Sequence, residues 1–290
     1  MHISKTLIAL AFGICAAQSA SAAPMLNPAS TAPYAQGSGL SATWTQVRDD
    51  YRFSQQPWRE PGSAERPIGS YGWGTGVWST RDIRHVQSLA DDDANVVSRV
   101  RGTSAVSFAN SIYNEKAANG SYGTWGHDYT RPLVPIVEQT GQQTNYVGSF
   151  TGYIYIAEGG LYDFSLFVDD GFTFSLFGSD GERLGMERET LAGSTEGRDY
   201  FALSDAYGGE RIQLGSGYYG IHIDYFNRLE AGVIDLAMKG PSDDDWRGIS
   251  SDQLFTSIPG QVPEPGTLAL LTLGFIGFGA SRKRMAQQRA

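Results

Sequence analysis

Two adjacent carboxylates, Asp169 and Asp170, stand between two apolar segments and are followed by Gly171. Neighbouring negative charges repel each other, so a short loop that holds both needs a neutralising partner. A divalent cation with oxygen ligands, calcium above all, is one such partner. Backbone N–H groups are the other, since Asp side chains shape turns by accepting from the main chain. The residues alone leave both interpretations open.

The segments on either side of this pair alternate apolar and polar residues with a period of two. That alternation is typical of half-buried β-strands, and it recurs after residue 217. Because strand ends position the loops between them, these segments must hold the acidic pair. The residues predicted to face the core are Phe150, Ile154 and Ile156; Phe164, Leu166 and Val168; Phe172, Phe174 and Leu176; Tyr219, Ile221, Ile223 and Tyr225; and Ile234, Leu236 and Met238.

A second loop follows the strand that ends near Phe226 and offers the Asn227 side chain and several main-chain carbonyls. If that strand neighbours the one ending at Val168, both loops lie at one end of the fold. The chain has no alternation of strands and helices and no repeat at a fixed period. It predicts an all-β, antiparallel β-sandwich, jelly-roll-like, with long loops and one or two short helices. One helix is expected after Ser79 or Thr80, with Ile83, Val86 and Leu89 on one face.

Residues 146–181 and 217–241 together resemble the protective-antigen-type domain, the PA-fourteen family, a β-sandwich of bacterial toxins, glycosidases and yeast flocculins. The resemblance rests on the Gly-Tyr-Ile strand, the Gly-x-Tyr-x-Phe strand at 160–164, the Asp-Asp-Gly loop, and a late Tyr-Phe-Asn followed by Glu-Ala-Gly. Residues 39–44 match the first strand of that family.

In sugar-binding members of this family the acidic pair, joined by a cis peptide, chelates calcium together with an Asn of the later loop. The resemblance therefore implies Asp169, Asp170 and Asn227 as calcium ligands, with the Leu229 carbonyl as a further candidate, and a glycan as partner. Arg228 departs from the small residues that the family often has there, and its charge would replace the cation if the side chain reached the acids.

The two ends of the chain carry export signals. Residues 1–22, with Lys5, an apolar run and Ala20-Ser21-Ala22, predict a secretory signal peptide. Residues 262–290 contain Pro263-Glu264-Pro265, a short apolar segment at 268–280 and Arg282-Lys283-Arg284, and closely resemble the PEP-CTERM sorting signal of Gram-negative bacteria. The resemblance implies recognition by a membrane exosortase, transient anchoring in the inner membrane, and delivery to the envelope surface or extracellular matrix. Between the signals we expect a flexible lead-in (23–38), the sandwich (39–245) and a linker (246–261).

Composition narrows the function classes. The formal net charge is −9, and the basic residues of both termini leave the part between them more acidic still. Such a surface disfavours nucleic acid and suits cations and neutral polymers. The single cysteine, Cys15, lies in the signal peptide, so the exported part has neither a disulfide nor a nucleophilic thiol. No nucleophile-elbow serine is present either, and we expect a binding protein without catalytic residues. A structural protein without a small ligand and a glycan hydrolase are the alternatives.

Overall fold

A computed structural model describes residues 23–51, 76–119, 129–188 and 200–260 of the 290-residue chain. The predicted signal peptide (1–22) and sorting signal (262–290) lie outside these ranges. Within them no helix is long and apolar enough to span a membrane. The predicted membrane segment at 268–280 falls in the part that is not described.

Two seven-stranded sheets make up the fold. Sheet A has the order β1-β10-β6-β12-β13, with β9 on β6 and β4 on β12; sheet B has the order β3-β2-β5-β11-β7-β8, with β14 on β5. All pairs are antiparallel except β1 with β10. The strands are β1 (Met25–Leu26), β2 (Leu40–Val47), β3 (Val96–Ser104), β4 (Ser107–Ala109), β5 (Tyr146–Ile156), β6 (Gly160–Asp169), β7 (Gly171–Phe177), β8 (Arg183–Arg188), β9 (Tyr200–Ala202), β10 (Ile212–Leu214), β11 (Gly217–Asn227), β12 (Val233–Lys239), β13 (Arg247–Gly248) and β14 (Leu254–Phe255).

The predicted core faces are confirmed. Every residue that the alternation placed inward belongs to one buried cluster between the sheets. Trp44 of β2 belongs to this cluster, with its ring centroid 5.2 Å from that of Phe150 and 5.5 Å from that of Phe108. Gly148 makes room for this indole, because a Cβ there would lie 2.6 Å from Trp44 Cζ3. The all-β sandwich is therefore correctly predicted.

Three short α-helices occur in the described residues: α1 (Thr80–Ser88), α2 (Ser111–Ala118) and α3 (Pro135–Thr140). The predicted helix α1 is present, and the Asp82 carboxylate accepts from the backbone N–H of Ser79 at 3.0 Å. The described part of the chain thus has one α-helix more than the one or two that were expected. The Asn110 side chain caps α2 by accepting from the Tyr113 N–H at 2.8 Å. Asn is a preferred N-cap residue, but the turn-rich composition around it gave no indication of a helix.

The segments expected to be lead-in and linker both add strands to the sandwich. Met25–Leu26 pairs with Ile212–Leu214, and Leu254–Phe255 pairs with β5. Tyr34 and Phe255 also contact aromatic rings on the outer face of sheet B: the Tyr34 and Tyr155 centroids are 5.1 Å apart, as are those of Phe255 and Tyr218. Short apolar stretches in these segments bury themselves there, which departs from the expectation of a flexible lead-in.

Candidate metal centre

The acidic pair and Asn227 lie together at one end of the sandwich. Asp169 ends β6, Asp170 follows it, and β7 begins at Gly171. Strand β11 pairs with β7, and Phe226 lies opposite Gly171. The Asp170 N–H donates to the Phe226 carbonyl at 3.3 Å. The peptide bond between Asp169 and Asp170 is cis. The two loops thus meet, but not because the strands ending at Val168 and Phe226 are neighbours: β6 and β11 lie in different sheets, and β11 pairs instead with β7, the strand that follows the acidic pair.

Asp170 is completely buried, and its two carboxylate oxygens differ. Oδ2 accepts from the backbone N–H of Arg228 at 2.6 Å. Oδ1 has no hydrogen-bond partner within the described part of the chain. Burial raises the pKa of Asp170 well above its ordinary value, and the neighbouring charge of Asp169 raises it further, whereas the backbone N–H groups of Arg228 and Leu229 oppose the rise. A buried carboxylate with an unsatisfied oxygen is costly unless a proton or a cation joins it.

Asn227 is also fully buried. Its Nδ2 donates to the Gln143 carbonyl at 3.0 Å, which orients the amide. Its Oδ1 has no hydrogen-bond partner among the residues that the structure describes. Gly232 makes this arrangement possible, because a Cβ there would lie 2.6 Å from the Asn227 Cγ and 2.6 Å from the Tyr146 Oη. Two acceptor oxygens from two loops are therefore buried at this end without donors.

Two buried tyrosines surround the acids. The Tyr225 hydroxyl donates to the main-chain carbonyl of Asp169 at 2.7 Å, and Asp169 itself is almost fully buried. Burial raises the pKa of Tyr225 and of Tyr146, and the negative charges of Asp170 and Asp169 add to the rise. Both phenols consequently stay neutral, and negative charge at this end comes from the carboxylates.

The Arg228 guanidinium pairs with Asp49, and the charge of Asp170 makes only a smaller contribution to its pKa. Its Nη1 lies 3.0 Å from Asp49 Oδ1, and its Cζ lies 5.2 Å from the centre of the Trp78 ring. The contact of Arg228 with Asp170 is made by the backbone N–H. These contacts orient the side chain toward Asp49 and Trp78.

The donor set fits calcium. Carboxylate and amide oxygens are the ligands that this ion prefers, with main-chain carbonyls and water completing about six to eight positions. The described ranges contain no group of three or more His, Cys, Asp or Glu residues that could hold a metal ion, so the Asn227 amide and main-chain oxygens would have to complete the ligand set. Leu229, 36 % exposed, turns its N–H toward Asp170, and its carbonyl remains only a predicted ligand.

Sequence reasoning missed three residues of this centre. Gly232 is part of the Glu-Ala-Gly motif, so a signal for it was present. Tyr146 begins a recognised strand, but alternation only marks it as buried. Gln143 contributes a main-chain carbonyl from the turn before β5, and no side-chain pattern indicates such a contact.

No curated protein matches the chain. Similar solved structures include the A domain of Epithelial Adhesin 9 from Candida glabrata in complex with Galb1-4GlcNAc (12 % identity, TM-score 0.45, covering 83 % of this chain and 99 % of that one). The PA14 domain of the MpAFP antifreeze protein is similar at 14 % identity and a TM-score of 0.40, covering 79 % of this chain and 95 % of that one. A PA14 sugar-binding domain from an RTX adhesin is similar at 15 % identity and a TM-score of 0.40, covering 76 % of this chain and 98 % of that one. Two of the three bear the name of the family that the motifs resemble; the sandwich architecture itself rests on the strand pairing of this chain.

Residues 261–284 match the PEP-CTERM protein-sorting motif. The match confirms the sorting signal expected from the Pro-Glu-Pro sequence, the apolar segment and the basic end. It implies processing by an exosortase. The sorting motif therefore indicates an exported, envelope-associated protein.

Proposed function

We propose that this protein is an exported surface or matrix protein whose β-sandwich binds carbohydrate through a calcium ion. One observation supports the proposal above all. Asp170 Oδ1 and Asn227 Oδ1, from two loops that meet at one end of the sandwich, are buried acceptors without a donor in the described residues. A cation would satisfy both and would offset the repulsion between Asp169 and Asp170.

In this proposal Asp169, Asp170 and Asn227 hold the ion, and the Leu229 carbonyl adds a further ligand. When bound, calcium supplies coordination positions that a pair of neighbouring sugar hydroxyls can fill. The chain positions its ligands through the Arg228 N–H on Asp170 and the Gln143 carbonyl on Asn227. A glycan or exopolysaccharide is the partner that the motif resemblance implies, and the acidic surface is compatible with a neutral polymer.

The sorting signal completes the proposal. Exosortase recognises residues 262–290, and the apolar segment at 268–280 holds the chain in the inner membrane until processing. The sandwich then reaches the outer surface or the matrix, where polysaccharide is available.

Calorimetric titration of the full chain with calcium tests the metal centre. We expect saturable binding that Asp170→Asn weakens by about 100-fold or more, since losing even an outer partner of a metal ligand costs about 10–100-fold. Asp163→Asn is the matched control: Asp163 is a buried carboxylate on the same strand, where its Oδ2 accepts from Ser204 Oγ at 2.6 Å. No calcium binding, or equal loss in both variants, would contradict the proposed site.

A glycan array probed with and without a chelator tests the ligand. Signals that disappear on chelation and in Asp170→Asn support calcium-dependent carbohydrate binding. Signals that persist in the chelator show that any sugar binding lies elsewhere.

A structural protein without a small ligand is the second candidate, because Asp170 Oδ2 accepts from the Arg228 backbone N–H. The acidic pair would then only shape the loop. In that case Asp170→Asn lowers the melting temperature, calcium changes nothing, and the array stays blank.

A further inference from the structure

A groove opens at the edge of sheet A, away from the acidic pair. Strand β4 pairs with β12 from Val233 to Asp235, and β13 pairs with the same edge at Ala237 and Met238. Between these two partners lies a cavity of about 370 Å³, within the range of about 300–1,000 Å³ that is usual for small-molecule sites. Its floor and walls include Val106, Leu236 and Ile249.

Aromatic rings and carboxylates line the groove together. Tyr129 and Trp246 contribute the rings, and Asp235 and Asp245 contribute the carboxylates. Tyr129 remains 47 % exposed, and Trp246 is half-buried. An aromatic ring beside a carboxylate can recognise a ligand that has both an apolar and a polar face.

A buried arginine fixes Tyr129 and Asp235 in place. Arg131 Nη2 lies 3.0 Å from Asp235 Oδ2, and the Arg131 side chain is only 1 % exposed. The guanidinium also faces the Tyr129 ring, with Cζ 4.3 Å from its centre. The Tyr129 hydroxyl donates to the same Asp235 oxygen at 3.1 Å. Asp235 is thus charge-compensated and rigid, which suits accepting hydrogen bonds more than transferring protons.

We propose that this groove binds a neutral sugar ring of a polysaccharide, independently of calcium. The apolar face of a pyranose, with its C–H groups, packs against Trp246 and Tyr129, while its hydroxyls donate to Asp235 and Asp245. An anionic sugar is disfavoured by the two carboxylates. A strongly cationic ligand finds the Asp235 charge already paired with Arg131.

The groove is separate from the metal centre. Asp169 lies opposite Val233 on the β6 side of β12, whereas the groove lies along the other edge, from Asp235 to Ala237. Between them, the Val233 side chain packs in a cluster with Phe167 and Tyr113 of α2. Neither site shares a side chain with the other, so loss of calcium leaves the groove intact.

The test is calorimetric titration of the full chain, in chelator, with cellohexaose, maltohexaose and mannohexaose. We expect saturable binding of at least one of them. Gly248→Leu is the principal variant: a Cβ at Gly248 meets open space, and its strand partner Ala237 lines the groove. The added side chain fills the groove without removing a contact, and binding falls by about tenfold or more.

A second pair of variants removes a contact instead. Asp245→Ala takes away a groove carboxylate, and Asp244→Ala is its matched control, since Asp244 is an exposed neighbour outside the lining residues. We expect weaker binding in the first and unchanged binding in the second.

Three outcomes overturn the proposal: no neutral hexasaccharide binds, only cationic chitosan hexamer binds, or Gly248→Leu leaves the affinity unchanged. Because the titration contains chelator, a failed calcium site does not affect it. The two proposals therefore fail separately.

Discussion

The backbone N–H of Arg228 donates to Asp170 Oδ2 at 2.6 Å, and this contact joins the loop after β6 to the loop after β11. It leaves the Arg228 side chain to pair with Asp49 and leaves Asp170 Oδ1 without a partner in the described residues. Main-chain donors thus neutralise only part of the acidic pair. The remainder is what a calcium ion would bind.

Gly232→Ala is expected to weaken calcium binding and to lower stability by about 1–3 kcal/mol, the usual cost of overpacking. The added methyl group would lie 2.6 Å from both Asn227 Cγ and Tyr146 Oη, so the Asn227 amide must move. Calcium titration and denaturant unfolding measure the two effects. Gly159→Ala is the control, because its Cβ would meet nothing closer than 3.5 Å. Unchanged affinity in Gly232→Ala would argue against Asn227 as a ligand.

Calcium affinity should fall on acidification at a higher pH than an ordinary carboxylate site shows. Burial raises the pKa of Asp170, so protons compete with the ion while most Asp residues are still charged. Titrations from pH 7 downward measure this. An affinity that is flat down to the ordinary value near 3.8 would contradict the raised pKa.

The calcium-free protein should show the matching change in stability. A carboxyl whose pKa is raised by folding binds its proton more tightly in the native state, so stability is greatest below the ordinary pKa and falls as pH rises toward the raised one. Melting curves of the wild type minus those of Asp170→Asn isolate this contribution, because Asn does not titrate. A stability difference, wild type minus Asp170→Asn, that increases as pH rises would refute the prediction.

Gly148→Ala should destabilise the sandwich by about 1–3 kcal/mol. Its methyl group would lie 2.6 Å from the Trp44 ring, which the surrounding aromatic residues hold in place. Chemical denaturation gives the free energy of unfolding. Gly102→Ala, with nothing within 4 Å of its Cβ, should cost far less. Equal losses in the two variants would mean that Trp44 has room to move.

Arg131→Met should cost about 3–5 kcal/mol, because it leaves Asp235 without its buried partner. The double variant Arg131→Met/Asp235→Asn should recover part of that loss, since the uncompensated charge is gone. Unfolding free energies of the wild type, both single variants and the double variant form the cycle. A double variant as unstable as the sum of the singles would show that the pair is not coupled.

The alternation of residues such as Phe164, Leu166 and Val168 was enough to predict strands, their inward faces and an all-β sandwich. The reason is local. Successive side chains of a strand point to opposite faces, so the order of apolar and polar residues along the strand indicates which face is buried. The acidic pair and Asn227 could be named as candidates for the same reason, since polar groups at strand ends break that alternation. The sorting signal was equally local and was confirmed.

Strand order needed the tertiary structure. The pairing of β11 with β7 brings Asn227 to Asp170, and no short stretch of sequence encodes a contact across more than 50 residues. Three other features also needed the tertiary structure. They are the contact of the Gln143 carbonyl with Asn227, the pairing of Met25–Leu26 and Leu254–Phe255 with the sheets, and the groove beside Trp246. Each depends on which distant surfaces bury each other, and that choice is made by the free energy of the whole fold rather than by any one segment.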